Sequence, residues 1–366
     1  MAGNSFGSIF RITTWGESHG TALGVVVDGV PAGLPLCESD IQVFLDRRKP
    51  GQSSIATPRV EADQVEILSG IFEGHSTGTP ISMIVRNTSQ RSADYSDIAS
   101  YYRPGHADYT FDSKYGFRDY RGGGRSSGRE TIGRVAGGAI ASKILKSMGM
   151  DVFAYTTAIG DIAIDYDRFN RDHILALPTA MPDSVANDAA MEYLQKARSH
   201  YDSVGGIMEC RVCGLPAGLG DPVFEKLDAN LAKAVMSIGA VKAVEIGDGV
   251  KVASTYGSAN NDELYIENGS IAKKTNHAGG ILGGMSDGDD IIIRAYVKPT
   301  PSIFRVQQTV NTSMEEIDVQ IKGRHDPIIV PRAVVVLESM TAITILDALL
   351  MNMTARLDKI QEFYRK

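Results

Sequence analysis

Short runs in which apolar residues alternate with polar ones, or crowd together between turn residues, recur along the chain and read as strands. They fall at Ile9–Thr13, Leu23–Val27, Ile81–Arg86, Asp151–Thr157, Ile207–Val212, Val241–Ile246, Ile291–Val297 and Ile317–Ile321. Helical spacing appears elsewhere. Ile132, Val135, Ala136, Ile140, Ile144 and Met148 mark one apolar face over Gly128–Met148, with Gly149 as its terminator. A second helix is predicted from about Asp183 to His200, and a long one from about Ala333 to Ile360, apolar all round at first and charged later. Because these elements do not alternate regularly, a doubly wound parallel sheet is disfavoured and a layered α+β arrangement is expected.

One string occurs twice. Val27-Asp28-Gly29-Val30-Pro31-Ala32-Gly33-Leu34 returns 185 residues later as Val212-Cys213-Gly214-Leu215-Pro216-Ala217-Gly218-Leu219. A strand-like run precedes each copy and a helix follows it. After the first, Ser39 can cap a helix carrying Ile41, Phe44 and Leu45; after the second, Asp221 and Pro222 open one carrying Phe224, Leu227, Leu231 and Val235. Ile81–Arg86 and Ile291–Val297 each then run into a polar loop. The expectation is a single domain over residues 1–366 with pseudo-twofold internal duplication, in two repeats of about 1–190 and 191–366.

Composition narrows the function classes. The formal charge of −7 disfavours nonspecific attraction to nucleic acid or to an anionic membrane, so any anion site must be local. Three cysteines in 366 residues argue against a disulfide framework and for a reducing cytoplasm. No signal-peptide pattern is read in Met1 to Trp15, and Ala333–Met353, interrupted by Glu338, Thr341, Thr344, Asp347 and Asn352, reads as a buried helix rather than a span.

Candidate chemistry is concentrated in a few polar strings. His19 lies in Gly16-Glu17-Ser18-His19-Gly20, His106 in Arg103-Pro104-Gly105-His106-Ala107-Asp108, and His325 in Gly323-Arg324-His325-Asp326-Pro327. An imidazole beside a leaving phosphate could give it a proton. Arg47, Arg48 and Lys49 end the first helix, and Arg118, Arg121, Arg125, Arg129 and Arg134 fall within 17 residues. In Arg121-Gly122-Gly123-Gly124-Arg125-Ser126-Ser127-Gly128-Arg129, glycines bare backbone N–H groups, serines add hydroxyl donors and the next helix offers its positive end, which is the chemistry of a phosphate cradle. His277-Ala278-Gly279-Gly280-Ile281-Leu282-Gly283-Gly284 and Lys298-Pro299-Thr300-Pro301-Ser302 fit either tight turns or backbone contacts to an extended cofactor. Cys210 and Cys213 have redox or zinc spacing, but lie in a strand with no second pair, and no metal site is expected.

Together these strings resemble the three signature regions of the chorismate synthase family. Gly16-Glu17-Ser18-His19-Gly20 through Val27-Asp28-Gly29-Val30-Pro31 is similar to the first, Gly124-Arg125-Ser126-Ser127-Gly128-Arg129-Glu130-Thr131 to the second and Gly323-Arg324-His325-Asp326-Pro327 to the third. Leu45-Asp46-Arg47-Arg48-Lys49-Pro50-Gly51-Gln52 and the string around His106 are also family-like. The resemblance implies a homotetramer of β-α-β sandwiches, with helices between two antiparallel sheets. It implies a 1,4-anti elimination of phosphate from 5-enolpyruvylshikimate 3-phosphate, giving chorismate, with reduced FMN required but not consumed. It leaves two sources of reduced flavin open, reduction by the chain itself with NADPH and supply by a separate flavin reductase.

Carried over residue by residue, the resemblance makes His19 the acid for the leaving phosphate and His106 the partner of the reduced flavin. Asp326 would help remove the C6 proton, with Ser18 and Ser127 assisting. Arg48, Arg103, Arg129 and Arg134 would clamp the substrate's anionic groups. FMN would be held by Arg125, Ser126, Ser127, Gly239, Ala240, Gly283, Lys298, Pro299, Thr300, Pro301, Ser302 and Arg324. Three positions depart from the family: Ser54 stands where many relatives carry a basic residue, Gly128 where alanine is usual and Gly239 where asparagine is frequent.

Overall fold

A computed structural model describes residues 3–49, 62–87, 97–321 and 326–365. Strands β1 (Ser5–Phe6), β2 (Arg11–Gly16) and β3 (Ala22–Asp28) lead into helix α1 (Glu38–Arg48). Strand β4 (Val65–Ile67), a small hairpin of β5 (Ile71–Phe72) and β6 (His75–Ser76), and β7 (Ile81–Arg86) follow. The result is an antiparallel sheet ordered β1-β2-β3-β7-β4. Helices α2 (Asp108–Tyr115) and α3 (Thr131–Ser147) come next, then β8 (Asp151–Ile159), β9 (Ile162–Ala163), α4 (His173–Ala176), α5 (Ser184–Ser199), β10 (Gly206–Cys213), α6 (Leu227–Met236), β11 (Val241–Ile246) and α7 (Gly257–Asn260). After the hairpins β12 (Leu264–Glu267) with β13 (Ser270–Lys273) and β14 (Ile281–Leu282) with β15 (Met285–Ser286), β16 (Ile291–Val297) completes a second antiparallel sheet, ordered β9-β8-β10-β16-β11. A last hairpin, β17 (Val306–Val310) and β18 (Glu316–Gln320), precedes α8 (Val330–Asn352) and α9 (Leu357–Tyr364).

Strand alternation decides which way each sheet faces. Leu23, Val25, Val27, Ile81, Met83 and Val85 are buried on one face of the first sheet, and Met208, Cys210, Val212, Ile291, Ile293 and Ala295 on one face of the second. Helices α3 and α8 fill the space between, with α1 against α3 and α6 against α8. This is the expected α+β sandwich with helices between two antiparallel sheets.

The echoed string has the same hydrogen bonds twice. The Ser76 hydroxyl donates to Pro31 O at 2.6 Å and accepts from Leu34 N at 2.9 Å. The Ser286 hydroxyl donates to Pro216 O at 2.7 Å and accepts from Leu219 N at 2.9 Å. The strand order β2-β3-β7-β4 recurs as β8-β10-β16-β11.

Several element boundaries differ from the pattern-based expectation. Cys37, not Ser39, is the N-cap of α1, its N–H donating to Asp40 Oδ2 at 3.0 Å. α6 begins at Leu227, after Asp221, Pro222 and the exposed Phe224. The helix expected from Gly128 starts at Thr131, because residues 124–126 and 128–130 wind as single 3₁₀ turns. The long C-terminal helix is two helices, the second of which is wholly unburied.

α8 is long and apolar enough by composition to cross a membrane, yet 83% of its most apolar window is buried within the chain. It therefore needs no partner subunit to cover it, contrary to what its apolar length suggests. Four of its five buried polar side chains are satisfied, Thr341 Oγ1 being the exception: Ser339 and Thr344 donate to Val335 O and Met340 O one turn back. Glu338 takes a two-point ion pair from Arg47 with both contacts at 2.7 Å. Asp347 accepts from the N–H groups of Ser8, Ile9 and Phe10 at 2.8, 2.8 and 3.0 Å.

Candidate active site

The loop after β2 carries Ser18 and His19, both buried. The Ser18 hydroxyl donates to Gly122 O at 3.0 Å. Gly122 has a φ of +72°, and a Cβ there would lie 2.2 Å from His19 Cδ2. The glycine run thus does more than bare N–H groups: only a residue without a side chain lets this backbone press against the imidazole. Asp119 lies close enough to feel His19, although Arg121 is the main reason its carboxyl is held below the usual range.

Behind this loop the arginines form a connected buried network. Asn87, directly after β7, donates from Nδ2 to Glu17 O at 3.0 Å and to Gly20 O at 2.7 Å, while its Oδ1 accepts from Arg129 Nε at 3.0 Å. Arg129 Nη1 donates to Asp63 Oδ1 at 3.0 Å, and Arg48 Nη2 to Asp63 Oδ2 at 2.6 Å. Burial would raise the Asp63 carboxyl, but the two guanidiniums outweigh it and hold the pKa below 3.8. Arg48 also reaches Gly128 O and Thr131 Oγ1. Arg332, in the first turn of α8, donates to Arg48 O at 3.1 Å and pairs with Asp326. That contact ties Asp326 to the same network.

Arg125 turns back to Gly16 O at 2.9 Å and Thr14 Oγ1 at 2.6 Å. Ser127 Oγ accepts from Arg129 N, and Ser126 Oγ donates to Gly123 O, so both serines close the turns before α3. Arg134 spans from Glu130 at 2.8 Å to Ser237 Oγ at 2.6 Å, joining α3 to the end of α6 just before Gly239 and Ala240.

The second histidine stands in a separate cluster. His106 Nδ1 lies 3.0 Å from Pro104 O and Nε2 lies 2.9 Å from Ser302 Oγ. A carbonyl can only accept, so Nδ1 carries the proton and Nε2 accepts from the serine hydroxyl. Burial first, then the Arg103 charge, bring its pKa from 6.5 to about 4, so the ring is neutral at pH 7. Arg103 makes a two-point ion pair with Asp108, both contacts at 2.8 Å, and Arg118 pairs with the same carboxylate at 3.2 Å. Lys298 closes the cluster, with Nζ donating to Gly105 O and its backbone N–H to Ala240 O, both at 2.9 Å. A Cβ on Gly105 would meet Pro301 at 2.7 Å.

Arg134, Ser237, Ala240 and Lys298 therefore join the His19 side to the His106 side. Gly283 is not drawn in: its hairpin bonds to Leu227 at the far end of α6, whose ten residues span about 15 Å. Arg324, His325 and Ser54 lie outside the described residues. Asp63, Asn87 and Arg332 escaped the sequence reading. The only hint was position: Asn87 opens the polar loop after β7, and Arg332 follows Pro331 at a helix start.

A buried and a half-buried imidazole in two loops and guanidiniums held in pairs around shared carboxylates are the equipment of an enzyme that handles small, multiply charged anions. The family model for chorismate synthase matches residues 10–350. The chorismate synthase of Lachnospira eligens is 64% identical over 366 residues, all of both chains. That of Methanosarcina barkeri is 55% identical, with 96% of this chain and 97% of the relative covered. A crystal structure of a chorismate synthase has a TM-score of 0.77 at 29% identity, covering 98% of this chain and 96% of the other. The chain belongs to the chorismate synthase family, and it is a lyase.

Proposed function

We propose that this chain eliminates phosphate from 5-enolpyruvylshikimate 3-phosphate to give chorismate, the last step of the shikimate pathway, with reduced FMN present but not consumed. The observation that carries the reading is the buried network running from the Ser18–His19 loop through Asn87, Arg129, Asp63 and Arg48 to Arg332 and Asp326.

The reaction breaks the C3–O bond to phosphate and a C6–H bond on opposite faces, leaving a new ring double bond. His19 gives a proton to the departing phosphate oxygen, with Ser18 beside it. Arg48, Arg129, Arg134 and Arg103 bind the phosphate and carboxylates, each already aimed by a carboxylate of the protein. Asp326, held by Arg332, receives the proton leaving C6, and Ser127 steadies the turn that carries Arg129.

The Lys298–Ser302 loop fits a flavin. Thr300 Oγ1 is buried there without a hydrogen-bond partner, as is Gln307 Nε2 on the adjoining hairpin, and Lys298 adds a cation. With Arg125, Ser126, Ser127, Gly239, Ala240, Pro299, Pro301, Ser302 and, from the family, Arg324, these residues would hold FMN. Reduced FMN, when bound, supplies an electron-rich ring that loosens the C3–O bond. We assign its reduction to NADPH, acting at this chain or through a separate flavin reductase.

We also propose one domain of two pseudo-repeats, with the junction shifted from the expected position near residue 190 to between α3 and β8, since β8 already pairs in the second sheet. A homotetramer is supported by the exposed Leu264, Ile266 and Ile271 on the β12–β13 hairpin. A cytoplasmic setting is supported by three cysteines that are all free.

The test is an anaerobic assay with the substrate and photoreduced FMN. Chorismate should accumulate over many turnovers per flavin with no reductant consumed. Consumption of one reductant per product, or no chorismate, would reject the reading.

A further inference from the structure

Asn87 uses every polar atom of its side chain. Nδ2 gives its two hydrogens to Glu17 O and Gly20 O, the carbonyls on either side of Ser18 and His19, and Oδ1 receives Arg129 Nε. Its backbone N–H adds a bond to Thr21 O at 3.1 Å. The loop itself is a turn closed by Gly20 N–H to Glu17 O at 3.1 Å, so Asn87 is the outside brace that orients the turn as a unit.

We propose that Asn87 is the positioning residue that sets His19 in register with the anion clamp. This rests on the reading of His19 as the proton donor and Arg129 as an anion-binding group. Arg129 is fixed on its other side by Asp63, which also holds Arg48. A guanidinium drawn toward a bound phosphate therefore pulls, through one rigid amide, on the loop that bears the acid. The chemistry asks for asparagine: the group must accept from a cation on one atom and donate twice from the other, within a two-bond reach. Aspartate has no donor, and glutamine is a methylene too long.

The discriminating variant is Asn87→Asp, which keeps the oxygen facing Arg129 but sets a second oxygen against two carbonyls. Turnover should fall roughly 10²-fold, the scale of an ångström-size misplacement, with KM little changed. In ¹⁵N-histidine-labelled protein without ligands, the His19 ring signals should move while those of His106 stay. In a His19→Ala background the same substitution should cost nothing further.

Full turnover with unmoved His19 signals in Asn87→Asp overturns the proposal. So does an equal loss in the His19→Ala background, since the effect would then not pass through His19. If His19→Ala itself retains full activity, the donor reading fails, and the ring signals still decide whether Asn87 orients the loop. Should Asn87→Asp fold poorly by circular dichroism, Asn87→Ala, which leaves both carbonyls to water, takes its place with the same expected signature.

Discussion

Lowering the pH from 7.5 to 5 isolates His106. Burial, with Arg103 and then Lys298 nearby, holds its pKa at about 4 against 6.5 for a free imidazole. The unfolded chain therefore binds this proton below about pH 6.5, whereas the folded chain does so only near pH 4. Stability from this group is intact above pH 6.5 and is lost as the pH falls through that window. The whole shift corresponds to roughly 3 kcal/mol, of which about 2 kcal/mol is already lost at pH 5. Urea unfolding should show the unsubstituted protein losing about 2 kcal/mol more than His106→Gln between pH 7.5 and 5. Nitrogen NMR should show a neutral ring protonated at Nδ1 across the same range, as the bond to Pro104 O requires. Titration of His106 near pH 6.5, or equal losses in both proteins, would refute the reasoning. The functional consequence is direct: at pH 7 the resting ring has no proton to give from Nε2, and an anion bound beside it must raise its pKa before it can act as an acid.

His19→Ala should lose roughly 10²–10⁴ in turnover, the range for removing a general acid, while substrate binding measured by equilibrium dialysis stays near normal. Gly122→Ala would drive a methyl into the imidazole, 2.2 Å from His19 Cδ2 at a φ of +72°. It should fold by circular dichroism, with a lowered Tm and little turnover. Asp63→Asn leaves two buried guanidiniums without their shared charge and should cost about 3–5 kcal/mol in denaturant unfolding. Because the Asp63 carboxyl is held below 3.8, the contribution removed is one present above that pH and lost as the pH falls through the folded value, so the variant should be the less pH-sensitive protein in acid.

How far the fold was legible depends on what kind of signal each element carried. Strands whose buried positions alternate along their length, such as Ile81–Arg86 and Ile291–Val297, have limits that match the structure. The break between α8 and α9 was not visible, because Thr354-Ala355-Arg356 contains no glycine or proline. The chain stops being helical there where it leaves the core, not at a local breaker. The cap at Cys37 was missed for a similar reason: the reciprocal partner, Asp40, is what makes a cysteine serve. In the site, the strings around His19, His106 and Arg125 were legible since glycines and arginines crowd there. Arg332 was not, since its meaning comes from Arg48, 284 residues away in sequence. Asp63 is one of many aspartates until two arginines converge on it.

The proposed duplication accounts for where those missed residues fall. In the first repeat the network is built from the end of α1 (Arg48), the residue two before β4 (Asp63) and the residue after β7 (Asn87). The corresponding places in the second repeat are Ser237 after α6, Gly239 and Ala240 before β11, and Lys298 after β16. Those are the positions that reach Arg134 and Gly105. The same three corners of one plan thus carry large polar, mutually bonded groups in one half and small or singly charged groups in the other. On the proposed function, the first set suits a compact substrate bearing a phosphate and carboxylates. The second presents backbone and small side chains that could lie along a flat ring system. A duplicated scaffold would in this way have supplied one enzyme with two dissimilar neighbouring sites, divided by the helices α3 and α6 that Arg134 bridges.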